Sequence, residues 1–344
     1  MPDRILIWGA GAIGGTVGAY LKRAGHDITF VDIEAAHVAA IADPTHGLKI
    51  SGPVDQFTVI APAFAPAELT GIWDHIFLCV KAQHTQVASR ALLPYLSDTG
   101  YVLSLQNGLC ERIIAEVVGT SRVIGAFINF GADWIAPGDI LYGNRGAFVL
   151  GELNGQITPR LEALHTLIKT AFEPNAITTT DVQSYLWGKL GYAALLFAQA
   201  LGQFGIADCL ARSELVPLWR TLGGEVNAVA TAIGIGQRGF NGFDPKAFTP
   251  EATEADAIRS IDAMVAFNRP NAKTHSGIWR DLAVRKRRTE VDVQILPVVQ
   301  EGARVGIDCP ACRKLTEMIH EIEDGKRPMT DDNLLELLAV SRSA

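Results

Sequence analysis

The chain has 344 residues, 48% of them hydrophobic and 19% charged, which is typical of a globular protein with more than one hydrophobic core. Its formal net charge of −7 argues against a nucleic-acid partner, because proteins that bind the phosphate backbone carry excess basic residues. The sequence has no run of about eighteen apolar residues and no signal-peptide pattern, so we expect no membrane partner and a cytoplasmic location.

The chain opens with the pattern of a strand, a glycine turn, a helix and a second strand. Residues 4–8 are apolar and end at Gly9, a helical pattern runs to Arg23, and residues 27–32 form the second strand. Such a βαβ unit pairs its strands in parallel. Further buried strands are predicted at 57–60, 75–80, 101–105 and 123–128.

After Gly138 the pattern changes. Residues 140–142 and 147–150 are predicted to finish the sheet as antiparallel edge strands, before a helix at 159–172 and a last strand at 177–180. Helical spacing of apolar residues then predicts helices at 182–201, 212–233, 252–268, 288–305 and 311–323. The polar tail after Asp331 is expected to be only partly ordered.

These elements predict an α/β protein with two domains. Residues 1–180 are expected to form an N-terminal Rossmann domain with a doubly wound sheet. Residues 181–344 are expected to form an all-α helical domain that binds substrate and carries catalytic residues, with Asp181 as the N-cap of its first helix.

The glycine turn carries the dinucleotide-binding pattern G-x-G-x-x-G. Gly9 permits the tight turn, Gly11 lets the backbone approach a pyrophosphate, and Gly14 allows the helix to pack closely on the strand. Ala12 and Ile13 open the helix, whose N-terminal N–H groups favour an anion.

Asp32 ends the second strand, where an acid hydrogen-bonds the adenosine ribose. A carboxylate there repels a 2′-phosphate, and no arginine follows to attract one, so Asp32 favours NAD(H) over NADP(H). The alternative is that Asp32 is only a turn residue at the strand end.

Lys81 and Asn107 each follow a predicted buried strand. Because the carboxyl ends of parallel strands line the ligand crevice, both side chains are expected on the nicotinamide side of the cofactor. Lys189 lies among apolar neighbours on the first helix of the second domain. Desolvation there is expected to lower its pKa and prepare it to protonate a carbonyl oxygen. The alternatives are a turn at Asn107 and a solvent-reaching helix lysine at Lys189.

Five motifs of the chain occur in a fixed order: the glycine pattern, Val80-Lys81-Ala82, Gln106-Asn107-Gly108, Lys189-Leu190 and Asp281…Thr289-Glu290-Val291-Asp292. In these motifs and their order, the chain resembles the ketopantoate reductase family over nearly its whole length. The resemblance implies reduction of 2-dehydropantoate to pantoate, a step of pantothenate biosynthesis. It implies three catalytic residues: Lys189 as general acid, Glu290 as the residue that holds the substrate hydroxyl or orients the lysine, and Asn107 as the residue that positions the nicotinamide and the lysine. Lys81 is implied on the cofactor side. Glu290 could instead belong to a solvated charged face, since a basic run precedes it.

The sequence also departs from the family pattern. Ala193 and Phe197 stand where family members carry asparagines four and eight residues after the lysine, so a bulkier or more apolar substrate fits. Ser276 matches the family's substrate-binding serine only with a one-residue gap. His275 beside it is a candidate acid/base or carboxylate-binding residue, or a histidine with a structural role. The family commonly uses NADPH, whereas Asp32 favours NAD(H).

Two other functions fit the sequence. An opine or 3-hydroxy acid dehydrogenase needs a His/Asp pair, for which His275 and Asp281 are the candidates, and a dinucleotide-sensing protein would bind cofactor without turnover. The Cys309-x-x-Cys312 pair is interpreted as a helix start, so no metal site is predicted. The expected partner is a small keto acid or ketone, and both a homodimer and a monomer fit the helical pattern.

Overall fold

The structure is a computed structural model that describes residues 4–271 and 274–341. The chain divides into two compact units, Met1–Val182 and Gln183–Ala344. Among the described residues, no helix has both the length and the apolar character needed to cross a membrane.

The first unit contains all the named strands of the described chain. In chain order they are β1 (Arg4–Trp8), β2 (Asp27–Val31), β3 (Leu48–Ser51), β4 (Phe57–Val59), β5 (Ala63–Phe64), β6 (Trp73–Leu78), β7 (Leu96–Ser104), β8 (Val123–Ile128), β9 (Gly131–Ala136), β10 (Asp139–Asn144), β11 (Phe148–Glu152) and β12 (Ile177–Thr178).

The main sheet has eight strands in the order β12-β11-β8-β7-β6-β1-β2-β5. All neighbours pair in parallel except β11 with β8, which is antiparallel. The chain leaves β1 on one side to form β2 and returns on the other side as β6, so the carboxyl end of β1 is a topological switch point. The predicted α/β fold with a Rossmann-type sheet is confirmed.

A second sheet of four strands, in the order β4-β3-β10-β9, was not predicted. The prediction that residues 57–60 and 140–142 belong to the main sheet was wrong, because they form β4 and β10 of this second sheet. Its strands alternate apolar and polar residues, as in Leu48 and Ile50 of β3, which are buried while Lys49 between them is exposed. Alternation is typical of a sheet with one buried face, whereas β8 of the main sheet is apolar and buried along its whole length.

The helices of the first unit are α1 (Ala12–Arg23), α2 (Ala35–Ala42), α3 (Thr85–Leu92), α4 (Cys110–Val118) and α5 (Pro159–Ala171). Helix α1 contacts strands of both sheets through small residues. A Cβ on Gly18 would lie 2.4 Å from the Phe30 ring of the main sheet, and a Cβ on Gly15 would lie 2.2 Å from Ile140 of the second sheet. The glycine-rich sequence of α1 therefore lets the helix approach a sheet on each side.

The second unit is helical, as predicted. Its helices are α6 (Val182–Gln199), α7 (Ile206–Leu210), α8 (Val216–Ala232), α9 (Glu254–Asn268), α10 (Gly277–Ala283), α11 (Val291–Gln294), α12 (Leu296–Val305), α13 (Pro310–Glu323) and α14 (Asp332–Ser341).

Two details of the helical unit correct the predictions. The helix predicted at 288–305 is two helices, since Pro297 cannot donate the hydrogen bond that would carry α11 into α12. The tail predicted as partly ordered contains α14, whose Leu334, Leu337 and Leu338 are buried at helical spacing.

The Cys309-x-x-Cys312 pair begins α13, with Cys309 at the N-cap and Pro310 at the first turn. Burial raises the pKa of Cys309 to about 12 and raises that of Cys312 well above its ordinary value. The Glu225 carboxylate accepts the backbone N–H groups of Ala311 and Cys312 at 2.8 Å, and burial raises its pKa. The motif is thus a buried helix start with protonated thiols, as the sequence indicated.

Candidate functional site

The glycine turn lies at the carboxyl end of β1, between β2 and β6. Gly9 has φ of +100°, and a Cβ there would lie 2.8 Å from the backbone nitrogen of Val80. A Cβ on Gly14 would lie 2.0 Å from the Gly9 carbonyl oxygen. By contrast, a Cβ on Gly11 would have no heavy atom of the described residues within 4 Å, apart from those of its chain neighbours. Gly9 and Gly14 are therefore required by the protein's own packing, and Gly11 leaves a space that a pyrophosphate can enter.

Asp32 directly follows β2 and binds the glycine turn. Its Oδ2 accepts the Ala10 N–H at 2.7 Å, and its Oδ1 accepts the Glu34 N–H at 3.0 Å. Each carboxylate oxygen has a second lone pair, so these bonds leave the side chain able to accept a ribose hydroxyl. Asp32 therefore stabilises the glycine turn. It also lies at the end of β2, as the sequence predicted.

Lys81 and Asn107 follow the neighbouring strands β6 and β7, and both are partly buried. Lys81 precedes a short 3-10 turn and accepts the His84 N–H through its backbone carbonyl. Asn107 accepts the Cys110 S–H through its own carbonyl. The sheet therefore brings the Lys81 and Asn107 turns together at the same edge as the glycine turn.

Gln106 connects these two turns, a role that the sequence analysis did not assign although it named the residue within a motif. Its Nε2 donates to the Val80 carbonyl and to the Thr85 hydroxyl, each at 2.9 Å. The Thr85 hydroxyl in turn donates to the Ala82 carbonyl. No sequence pattern reveals this bridge, because it depends on which strands are neighbours in the sheet.

Lys189, Ala193 and Phe197 follow one another at four-residue spacing on α6 and so share one helix face. Lys189 is partly buried, Ala193 is buried, and Phe197 is fully buried. A different face of α6 packs on a loop, where a Cβ on Gly188 would lie 2.0 Å from the Arg238 carbonyl oxygen. The glycine beside Lys189 is therefore explained by helix packing.

His275 and Ser276 lie at the start of α10. The Ser276 hydroxyl accepts the Trp279 N–H at 3.1 Å, which makes Ser276 the N-cap of the helix. The Nε2 of His275 lies 3.2 Å from the Gln203 carbonyl oxygen, and its Nδ1 lies 2.9 Å from the Thr274 hydroxyl. The ring also packs against Trp279 at an angle of 36°. Both residues have local structural contacts.

Asp281, on the same helix, is buried and forms ion pairs with Arg285 and Arg287. These two arginines belong to the basic run that precedes Glu290. Half of that run is therefore committed to neutralising a buried carboxylate.

Glu290 is the N-cap residue of α11 and only 7% exposed, unlike a member of a solvated charged face. The residues before it are fixed by α13. Glu323 accepts both the backbone N–H and the hydroxyl of Thr289, at 2.7 and 2.8 Å, and pairs with Arg288. Buried contacts on the preceding residues thus hold the chain at Glu290.

A cleft of about 640 Å³ opens elsewhere in the helical unit, lined in part by Trp279, Lys286 and Arg327. Its lining includes none of the substrate-side residues named from the sequence, which are Lys189, Ala193, Phe197, His275, Ser276 and Glu290. The cleft is therefore not formed by those side chains.

A parallel sheet with this glycine turn at its switch point, followed in the chain by a helical unit, defines a dinucleotide-dependent oxidoreductase of the two-domain Rossmann class. Residues 5–155 match the family model described as ketopantoate reductase PanE/ApbA, and residues 181–323 match that of its C-terminal domain. The chain belongs to the ketopantoate reductase family.

Several relatives are similar to this chain over most of their length. The 2-dehydropantoate 2-reductase of Archaeoglobus fulgidus is 27% identical, with 94% of this chain and 99% of the relative covered. That of Aquifex aeolicus is 26% identical, with 93% and 96% covered.

Solved structures agree with this fold. A PanE/ApbA family ketopantoate reductase from Ralstonia eutropha JMP134 superposes with a TM-score of 0.78 at 27% identity, covering 94% of this chain and 99% of that one. D-mandelate dehydrogenase with NADH and anilino(oxo)acetate has a TM-score of 0.80 with the same coverage, but at 22% identity that likeness shows the fold alone.

Proposed function

We propose that this chain reduces a 2-keto acid, with hydride transfer to the keto carbon and proton transfer from Lys189 to the keto oxygen. The observation that carries the proposal is the glycine turn with an open space at Gly11, in a family whose members are oxidoreductases. A bound nicotinamide dinucleotide would supply the hydride. Gly11 and the N-terminus of α1 would hold its pyrophosphate.

The remaining roles are assigned to the residues that share the family pattern. Lys189 acts as general acid, and the buried Glu290 holds the substrate hydroxyl or orients the lysine. Asn107 and Lys81 act on the cofactor side, where the sheet places their turns beside the glycine turn. His275 and Ser276 are secondary candidates for substrate contact, since both already have structural contacts.

The substrate proposal depends on α6. The relatives are named 2-dehydropantoate 2-reductases, so 2-dehydropantoate is the reference against which other substrates are compared. Ala193 and Phe197 present no amide on the Lys189 face, which favours a 2-keto acid with a bulkier or more apolar group than 2-dehydropantoate. The Asp281 carboxylate is engaged by two arginines and His275 by Gln203, which argues against a His275/Asp281 pair of the opine dehydrogenase type.

The test is oxidation of NADH and NADPH, followed by absorbance, with 2-dehydropantoate and a series of aliphatic and aromatic 2-keto acids. Lys189→Ala is expected to lower kcat by about a hundredfold or more, the usual contribution of a general acid, while NADH still binds. Lys246→Ala is the matched control, because Lys246 is an exposed lysine of the same unit. Equal rates for Lys189→Ala and wild type would refute the assignment, and cofactor binding without turnover of any substrate would favour the dinucleotide-sensing protein.

For the cofactor we propose NAD(H), because the Asp32 carboxylate would repel a 2′-phosphate. Asp32→Asn is the sharper variant, since its amide oxygen still accepts the Ala10 N–H while the charge is lost. The ratio of kcat/KM for NADPH to that for NADH is expected to rise about tenfold, the effect of about 1.4 kcal/mol. An unchanged ratio would show that Asp32 does not select the cofactor.

A further inference from the structure

Helix α2 places a histidine directly beside the glycine turn. His37 is 1% exposed, and its Nε2 lies 2.8 Å from the carbonyl oxygen of Ala10. Its Nδ1 lies 2.9 Å from the backbone nitrogen of Gly138 and 3.4 Å from Nε1 of Trp134. His37 thus lies between the glycine turn and the β9–β10 hairpin of the second sheet.

The two ring nitrogens of His37 have fixed roles. The Gly138 N–H and the Trp134 indole N–H can only donate, so Nδ1 must carry the lone pair that accepts them. The proton is therefore on Nε2, which donates to the Ala10 carbonyl. A neutral histidine in this tautomer satisfies all of these groups.

The two peptide groups on either side of the Ala10 Cα are consequently each held by a side chain. The Ala10 N–H donates to Asp32 and the Ala10 carbonyl accepts from His37, at 2.7 and 2.8 Å. The flanking residues are Gly9 and Gly11, which have the greatest backbone freedom of any residue type. Without these two bonds, the turn would have to lose that freedom when a ligand binds.

We propose that His37 is a positioning residue for the dinucleotide: it fixes the Ala10–Gly11 peptide group so that the glycine turn is ordered before the pyrophosphate arrives. The inference rests on the proposed function only in that the turn binds a nicotinamide dinucleotide. Preorganisation increases affinity because less conformational entropy is lost on binding. It also gives the second sheet a role, since Trp134 of β9 and Gly138 of the β9–β10 turn hold His37 in place.

The test compares His37→Leu with His37→Gln by calorimetric titration with NADH. Leucine removes the donor to Ala10, whereas the Nε2 of glutamine occupies nearly the position of the histidine Nε2 and can still donate. His37→Leu is expected to weaken NADH binding about tenfold or more, because a buried acceptor loses its partner, and His37→Gln to recover most of that affinity. In turnover, His37→Leu should raise KM for NADH while kcat at saturating NADH changes by less than about twofold.

The matched control is Ile41→Val, a conservative change at a fully buried position one turn further along α2. It loosens the packing of the helix without removing the bond to Ala10, so NADH affinity should stay at the wild-type value while the melting temperature falls. Wild-type affinity for NADH in His37→Leu would overturn the positioning role. So would a loss of affinity in both His37→Gln and Ile41→Val that equals the loss in His37→Leu. Failure of the wild-type protein to bind either dinucleotide would instead refute the proposed function.

Discussion

Two buried glutamines offer a matched pair for testing the hydrogen-bond argument at the candidate site. Gln106 is 4% exposed and Gln199 is 3% exposed. The amide nitrogen of Gln106 donates two hydrogen bonds, whereas neither amide atom of Gln199 has a hydrogen-bond partner among the described residues. Substitution by methionine, which is unbranched and of similar length, should therefore affect the two positions in opposite directions.

The magnitudes follow from the bonds lost. Gln106→Met leaves the Val80 carbonyl and the Thr85 hydroxyl without this donor, at about 1–3 kcal/mol for a buried group. Removal of the Gln106 Oε1, which has no hydrogen-bond partner among the described residues, offsets part of the loss, so we expect a net destabilisation of about 1–2 kcal/mol. Gln199→Met removes a buried amide that makes no hydrogen bond within the described part of the chain and should stabilise the protein by about 1 kcal/mol or more.

The assay is scanning calorimetry of both variants beside the wild type. For domains of 150–250 residues, each kcal/mol shifts the melting temperature by about 2–4 °C, so opposite shifts of several degrees are expected. Gln106→Met should also reduce kcat/KM, because the Lys81 and Asn107 turns lose their connection. Shifts of the same sign and size at the two positions would refute the reasoning.

Two further predictions concern the glycine turn and a buried tyrosine. Gly11→Ala should leave the melting temperature unchanged but weaken NADH binding in calorimetric titration about tenfold or more. Gly14→Ala should lower both the melting temperature and the affinity for NADH, because its Cβ would lie 2.0 Å from a carbonyl oxygen. Equal effects of the two variants on the melting temperature would contradict this. Burial raises the pKa of Tyr20 from 10.0 to about 12, so the unfolded chain loses this proton first and folding stability falls as the pH rises from 10 towards 12. Tyr20→Phe should reduce that loss by about 1 kcal/mol near pH 11 in urea unfolding, and an unchanged pH profile would contradict it.

The first strands and helix were predictable because local pattern and tertiary role agree there. Residues 4–8 form β1 within the predicted bounds, and β2 ends one residue before the predicted Asp32. The glycine spacing has a packing cause that operates within a few residues, so sequence alone reveals it. Strand β8 likewise has the predicted bounds.

The second sheet was not predictable for a physical reason. An apolar strand pattern such as 57–60 shows that a strand forms but not which neighbour it pairs with. Strand β10 pairs in parallel with β3, and that pairing depends on how α1 lies over both. The prediction of a partly ordered tail was wrong because it was based on the polar residues Asp331, Asp332 and Asn333 rather than on the leucines of α14 that follow them.

The candidate site likewise contains residues that a local sequence motif reveals and residues that only the fold reveals. Residues with a recognisable motif, such as Gly11, Asn107 and Lys189, were named from the sequence, and their catalytic and binding roles stay predictions. The roles of Gln106 and His37 were missed because each acts through contacts between segments distant in the chain. A histidine in an apolar helix gives no indication of which backbone it will contact.

The pairing of β3 with β10 also has a consequence for how the first unit folds. Ser51 and Asp139, joined by a hydrogen bond across these strands, are 88 positions apart, so the pairing closes a long loop. Contacts between such distant segments form slowly, because the entropy of loop closure is lost before any bond is gained. Since Gly138 borders β10 and donates to His37, this bond forms only with the β3–β10 pairing, and we expect chains that lack the pairing to bind the cofactor more weakly.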